Sequence, residues 1–135
     1  MNILVIDGHG GQIGAQIIKE IIAQFKNIKV TAIGTNAVAT AAMLKAGAQN
    51  AATGENPVIV ACRKADVIIG PIGIVIADSL LGEITPKMAV AVGQAEATRV
   101  LLPMNKCENL IAGVSDVSTK TLIEDVIAKL KCIVK

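Results

Sequence analysis

The chain opens on a strand that runs straight into a glycine loop and then into an amphipathic helix. Few folds accommodate that succession. Ile3-Leu4-Val5-Ile6 is a continuous apolar run stopped by Asp7-Gly8. Such a run reads as a strand buried on both faces. From Ile13 the spacing turns helical, with Ile13, Ile17, Ile18, Ile21, Ile22 and Phe25 on one face and Lys19, Glu20 and Lys26 off it. Between the two lies Gly8-His9-Gly10-Gly11-Gln12-Ile13-Gly14.

The same alternation continues down the chain. Val30 to Ile33 reads as a second strand, ended by Gly34. Asn36 to Ala46 is Ala-rich and helical, and Gly47 stands where a helix stop belongs. Ala48 to Thr53 suits a short third strand, and Asn56 a cap for a helix starting at Pro57. Asp66 to Ile69 is a buried strand closed by Gly70-Pro71, with a helical segment expected through Leu81. Thr85-Pro86 is a helix start, Arg99 to Leu102 a fifth strand and Leu110 to Val114 a sixth. Ser118 caps a last helix with apolar positions Leu122, Ile123, Val126, Ile127 and Leu130.

Alternating strands and helices imply βαβ units and a parallel sheet covered on both sides. The expected fold is therefore α/β: a Rossmann-like three-layer sandwich with a mostly parallel sheet of five to six strands. At 135 residues, a single domain spanning 1–135 is expected. The composition agrees. With 53% hydrophobic residues, mostly aliphatic, the chain can fill a core and cover both faces of buried strands.

Several function classes are disfavoured. The net charge is only +2, without a basic stripe or an aromatic platform, so no nucleic-acid partner is expected. Cys62, Cys107 and Cys132 form no CxxC pair, which argues against a disulfide framework or a zinc knuckle and suits a reducing cytoplasm. Met1 leads directly into a strand, as in a chain without a signal peptide. The apolar stretch Val67 to Ile84 is interrupted by Gly70, Pro71, Gly73, Asp78 and Gly82, a poor membrane span. The absence of tyrosine removes the Tyr–Lys proton relay of short-chain dehydrogenases, and there is no GxxxxGK[ST] or HExxH. No metal is expected.

The glycine loop is the principal site candidate. Gly8, Gly11 and Gly14 have GxxGxxG spacing, which resembles the phosphate loop of extended and atypical short-chain dehydrogenases. Glycines let backbone approach a pyrophosphate, and a helix N-terminus offers free N–H groups and a positive dipole end. Packing alone is the alternative reason for such glycines. Two features depart from a plain NAD site. Asp7 would repel a phosphate unless a metal, a sugar hydroxyl or a backbone donor engages it. The acidic ribose anchor expected ~20 residues on is replaced by Gly34-Thr35-Asn36, where Asn36 can bind a ribose or simply cap a helix. No Arg is near to favour a 2′-phosphate.

In open α/β sheets ligands bind outside the carboxyl ends of the strands. The segments expected there are Asp7 to Gly14, Gly34-Thr35-Asn36, Thr53-Gly54-Glu55-Asn56, Gly70-Pro71-Ile72-Gly73 and Met104-Asn105-Lys106-Cys107. The cofactor-binding set is thus Asp7, Gly8, His9, Gly10, Gly11, Gln12, Ile13, Gly14, Gly34, Thr35, Asn36, Gly54, Glu55, Gly70, Pro71, Ile72 and Gly73. Asp78 and Ser79 are expected on a helix, Glu83 in a turn. His9, the only histidine, is a phosphate contact, a proton donor or a passive surface residue. Asp7-Gly8-His9 falls short of the cobalamin element DxHxxG, because Gln12 stands where that element has glycine.

The runs Val5-Ile6-Asp7-Gly8, Gly34-Thr35-Asn36-Ala37, Ala52-Thr53-Gly54-Glu55-Asn56 and the long segment from Gly70 to Ile84 resemble a family of small bacterial proteins known only as a domain of unknown function, number 3842. The resemblance covers nearly the whole chain. It implies a bacterial, intracellular, stand-alone domain and brings no catalytic residues with it. The expected function is a cytoplasmic nucleotide or dinucleotide binder, NAD or NADP favoured, acting as a sensor or regulatory module. The alternatives are an NAD(P)-dependent oxidoreductase whose pocket is completed by a homodimer, and a ligand-free interaction scaffold.

Overall fold

A computed structural model describes residues 1–104 and 109–134. Strands β1 (Asn2–Asp7), β2 (Lys29–Gly34), β3 (Asn50–Thr53), β4 (Val67–Pro71) and β5 (Thr98–Leu102) alternate with helices α1 (Gln12–Gln24), α2 (Ala37–Lys45), α3 (Glu55–Cys62), α4 (Pro86–Gln94) and α5 (Thr119–Ile133). The strands form one sheet in the order β3-β2-β1-β4-β5, every pair parallel. That is the order of the first five strands of a doubly wound Rossmann sheet. It reverses direction between β1 and β4, which makes the carboxyl edge at β1 the topological switch point.

Helices cover both faces, so the three-layer expectation holds. On one side Ile17, Ile18 and Ile21 of α1, Met43 of α2 and Ile123, Val126, Ile127 and Leu130 of α5 pack on Ile3, Val5, Val30, Ala32, Val67 and Ile69. On the other, Val58 and Cys62 of α3 and Met88, Ala89 and Val92 of α4 pack on Leu4, Ile6, Ile33 and Ile68. Adjacent strand residues thus face opposite layers, as the pleat requires, and both layers are apolar. Ile22, expected on the apolar face of α1, is 43% exposed.

Three expectations are corrected. Leu110 to Val114 is not a strand: Leu110 is 96% exposed, Gly113 has φ 81°, and Val114 N–H closes a turn on Ile111. A short apolar run without a neighbour to pair with has no ladder to join. Helix α3 starts at Glu55 on Gly54, whose φ is 104°, rather than at Pro57 on Asn56. The helix expected after β4 is a single 3-10 turn over Ile72–Val75. Beyond it Asp78, Leu80, Leu81 and Gly82 all have φ between 56° and 87°, which no right-handed helix tolerates. The caps Asn36, Thr85 and Ser118 are as expected, each accepting a backbone N–H in the first turn.

Candidate functional site

Strands β1, β2 and β3 end level, with Asp7 beside Gly34 and Gly34 beside Thr53. Their exits are laced together. Thr35 N–H donates to Asp7 C=O at 3.0 Å, and Gly54 N–H to Gly34 C=O at 2.9 Å. The glycine loop leaves β1 at this edge and enters α1.

Asp7 forms the floor of the loop and is 4% exposed. Its Oδ1 accepts from Gly8 N–H and its Oδ2 from Gly14 N–H, both at 2.8 Å. Backbone donors therefore answer the question its charge raised. Burial pushes its pKa up; the two N–H groups and the nearby His9 pull it down, Glu83 pushes it up again, and the net shift is upward.

Three of the loop glycines face protein. A methyl on Gly11 would lie 2.7 Å from Ala39 Cα, and φ there is 73°. One on Gly14 would lie 2.6 Å from Met43 Sδ. One on Gly8 would lie 2.6 Å from Glu83 Oε1, 2.7 Å from Thr35 Oγ1 and 2.9 Å from Leu80 Cδ1. The GxxGxxG spacing is thus a packing pattern that lets α1 and its loop approach α2 and the turn around Glu83. Gly10 differs: the nearest atom to a methyl there is 3.9 Å away. The N–H groups of Gly10, Gln12 and Ile13 donate to nothing among the described residues. They are the orphan donors of the loop and of the first turn of α1.

Beside the loop, Glu83 reaches in from the segment between β4 and α4. Its Oε1 accepts from His9 N–H at 3.0 Å and from Thr35 Oγ1 at 2.7 Å; its Oε2 accepts from Asn36 Nδ2 at 2.9 Å. Burial raises its pKa, but the hydrogen bonds from Thr35, His9 and Asn36 outweigh that and hold it below the usual carboxylate value. Asn36 both caps α2 and contacts the loop. Its Oδ1 accepts from Ala39 N–H at 2.8 Å, while its Nδ2 also donates to His9 C=O at 2.9 Å. Leu80, 1% exposed, closes over Gly8.

The structure therefore brings together Asp7 to Gly14, Gly34, Thr35 and Asn36, and adds Glu83. It leaves the others with local structural work. Glu55 Oε1 accepts from Thr85 Oγ1 at 2.6 Å, tying the start of α3 to the cap of α4. A methyl on Gly70 would lie 2.5 Å from Ile6 C=O; Pro71 is buried in β4 beside Leu102, and Ile72 opens the 3-10 turn. Gly73 C=O accepts from the buried Ser79 hydroxyl. Asn105, Lys106 and Cys107 lie outside the described residues. The sequence gives no local sign that Glu83 belongs here. Its only hint is indirect: the acid missing from the end of β2.

A groove of about 280 Å³ lies elsewhere, between α3 and β2–β3, lined in part by Thr31, Ala52, Pro57 and Val60. Its lining also includes Lys29 and Lys64, and it does not touch the glycine loop, where Glu83 and Leu80 pack over Gly8. No helix among the described residues is long and apolar enough to cross a membrane.

Comparison with known proteins adds little chemistry. No curated protein matches the chain. Among solved structures, a dodecameric FMN-dependent UbiX-like decarboxylase from Escherichia coli O157:H7 is similar at a TM-score of 0.47 and 16% identity, over 97% of this chain and 75% of that one. One family model spans residues 2–135, and the chain belongs to that family, described as a domain of unknown function, DUF3842.

Proposed function

We propose that residues 1–135 act as one nucleotide-binding module, with the phosphates of a nucleotide or dinucleotide seated on the Gly10–Ile13 side of the loop. One observation carries this reading. The N–H groups of Gly10, Gln12 and Ile13 have no partner among the described residues, at the positive end of a 13-residue helix, on the switch-point edge of the sheet. Backbone donors aligned with a helix dipole are a general anion seat. Asp7 does not oppose this, because both its oxygens turn inward onto Gly8 and Gly14. NAD or NADP suits the loop's place in a Rossmann-ordered sheet.

Binding rather than turnover is the favoured role, as a sensor or regulatory module. The lone histidine is exposed and the chain has no tyrosine, so the loop offers neither a second imidazole nor a phenol to pair with it. A ligand-free scaffold is the second reading. It is favoured by the packing that alone accounts for Gly8, Gly11 and Gly14.

The chain has no Trp and no Tyr, so a bound nucleotide dominates its ultraviolet absorbance. Freshly purified protein should carry a nucleotide band that denaturation releases, identifiable by mass spectrometry, or should bind NAD(H), NADP(H) or ATP on titration. Failure of all of these puts the scaffold reading first.

A further inference from the structure

We propose that Glu83 is the residue that recognises the ribose hydroxyls of the ligand, and that it selects an unphosphorylated 2′,3′-diol over a 2′-phosphate. This rests on the nucleotide reading above. The geometry is that of the acid absent from β2. In a Rossmann-ordered sheet the ribose-binding carboxylate stands at the carboxyl end of β2, next to the glycine loop. Here that position holds Thr35 and Asn36, neither an anion. Yet a carboxylate does stand there, delivered from the far side of the switch point by a turn 48 residues downstream of Thr35.

The placement is built rather than incidental. Thr35 Oγ1, Asn36 Nδ2 and His9 N–H, from two different strand exits, all aim at the one carboxylate. Gly8 makes room for it, since any side chain there would strike Glu83 Oε1. A carboxylate offers roughly four lone-pair sites. Two hydrogen bonds fall on Oε1 and one on Oε2, which leaves an acceptor site on Oε2. A hydroxyl can donate to that site. A phosphate monoester cannot, because its oxygens are acceptors and its charge has the same sign as Glu83. The three groups that donate to the carboxylate, Thr35 Oγ1, Asn36 Nδ2 and His9 N–H, are themselves neutral.

The test compares ligands that differ only at the 2′ position. Affinities of wild type and Glu83→Gln for NAD⁺, NADP⁺ and ADP-ribose are measured by calorimetry, with thermal melts to verify folding. Wild type should favour NAD⁺ over NADP⁺ by about tenfold or more, and the substitution should erase most of that ratio, as expected for loss of a charge-assisted hydrogen bond. A merely structural Glu83 would lower both affinities together and keep the ratio, which overturns the inference and leaves nucleotide binding standing. Tighter binding of every phosphate-bearing ligand by the variant overturns it too, because Glu83 would then be blocking the seat. If wild type binds none of the three, this inference is overturned, and the nucleotide reading falls with it if ATP fails to bind as well. Wild type alone supplies a second measurement should the variant not fold: ADP must bind more tightly than 2′-deoxy-ADP, and equal affinities overturn the assignment.

Discussion

Glu83 Oε1 stands 2.7 Å from Thr35 Oγ1, across 48 residues of sequence, and the contact joins the two halves of the sheet over the switch point. Thr35 belongs to the exit of β2, on one side of β1; Glu83 belongs to the connection from β4 to α4, on the other. The side chains meet above Gly8, the first residue of the loop between them. The proposed ligand seat and the fold therefore share one polar knot.

That knot predicts energetic coupling. Thr35→Val keeps the shape of the side chain and removes the donor. Glu83→Gln keeps an acceptor and removes the charge. In a double-mutant cycle the two should couple by about 1 kcal/mol, less than the ~1.5–3 kcal/mol of a full hydrogen bond to a charged group because the Gln oxygen still accepts. Denaturant unfolding of the four proteins measures it, and additive effects would mean that the 2.7 Å contact carries no energy.

The loop glycines should separate cleanly on mutation. Gly11→Ala forces a left-handed φ of 73° on a residue with a Cβ and drives that carbon to 2.7 Å from Ala39. It should cost about 2 kcal/mol or more of stability. Loss of ligand binding in that variant would therefore say nothing about the phosphate seat. Gly10→Ala meets no atom closer than 3.9 Å. Its stability should stay within about 0.5 kcal/mol of wild type. It is the variant that reads out backbone approach by a ligand, because nucleotide affinity should fall while the melt does not move.

The layered architecture was legible because it depends on local patterns. Ile3 to Ile6, Val30 to Ile33 and Asp66 to Ile69 are continuous apolar runs, and the caps Thr85 and Ser118 advertise their helices. The segment from Ile76 to Glu83 was not legible. The residues through Leu81 read as a helix, with Glu83 alone expected in a turn, but the backbone follows a chain of turns fixed by contacts outside any local window: Ser79 to Gly73, Asp78 N–H to Ile84 C=O, Leu80 over Gly8. The same cause hid Glu83. Its partners lie 47, 48 and 74 residues away, and nothing in the neighbouring residues encodes them. Conversely, the glycine spacing was visible, but its reason was not, since the packing of Gly11 on Ala39 and of Gly14 on Met43 appears only once α2 is placed.

Leu81 offers a test of the strain in that segment. It has φ 57° and is 97% exposed, so it holds an unfavourable backbone conformation and buries almost nothing. Glycine relieves about 1 kcal/mol of left-handed strain and adds about 0.5–1 kcal/mol of unfolded-chain entropy. Leu81→Gly should consequently be neutral within about 0.5 kcal/mol by thermal or denaturant melting, unlike a glycine placed in a regular element. A large loss would mean that Leu81 is covered in solution.

The two carboxylates of the site should respond to acid in opposite directions. Glu83 is held below its ordinary pKa of 4.5 in the folded protein, with burial opposing and the bonds from Thr35, His9 and Asn36 prevailing. Between the folded and unfolded values the unfolded chain binds more protons, so this contribution is complete above 4.5 and is lost as pH falls through the folded value. The stability gap between wild type and Glu83→Gln should be constant near neutrality and shrink in that acid window. Asp7 is raised above its ordinary 3.8, chiefly by burial. There the folded protein binds more protons, so wild-type stability falls as pH rises from 3.8 through the folded value. Asp7→Asn turns one buried N–H, of Gly8 or Gly14, against an amide NH₂, and should cost about 1 kcal/mol at neutral pH. On acidification the gap between wild type and Asp7→Asn should widen while the Glu83 gap narrows. Urea unfolding of the three proteins across pH 3 to 7 (~1 pH unit per step, the width of one titration) distinguishes the two signs, and gaps that move together would overturn the assigned environments.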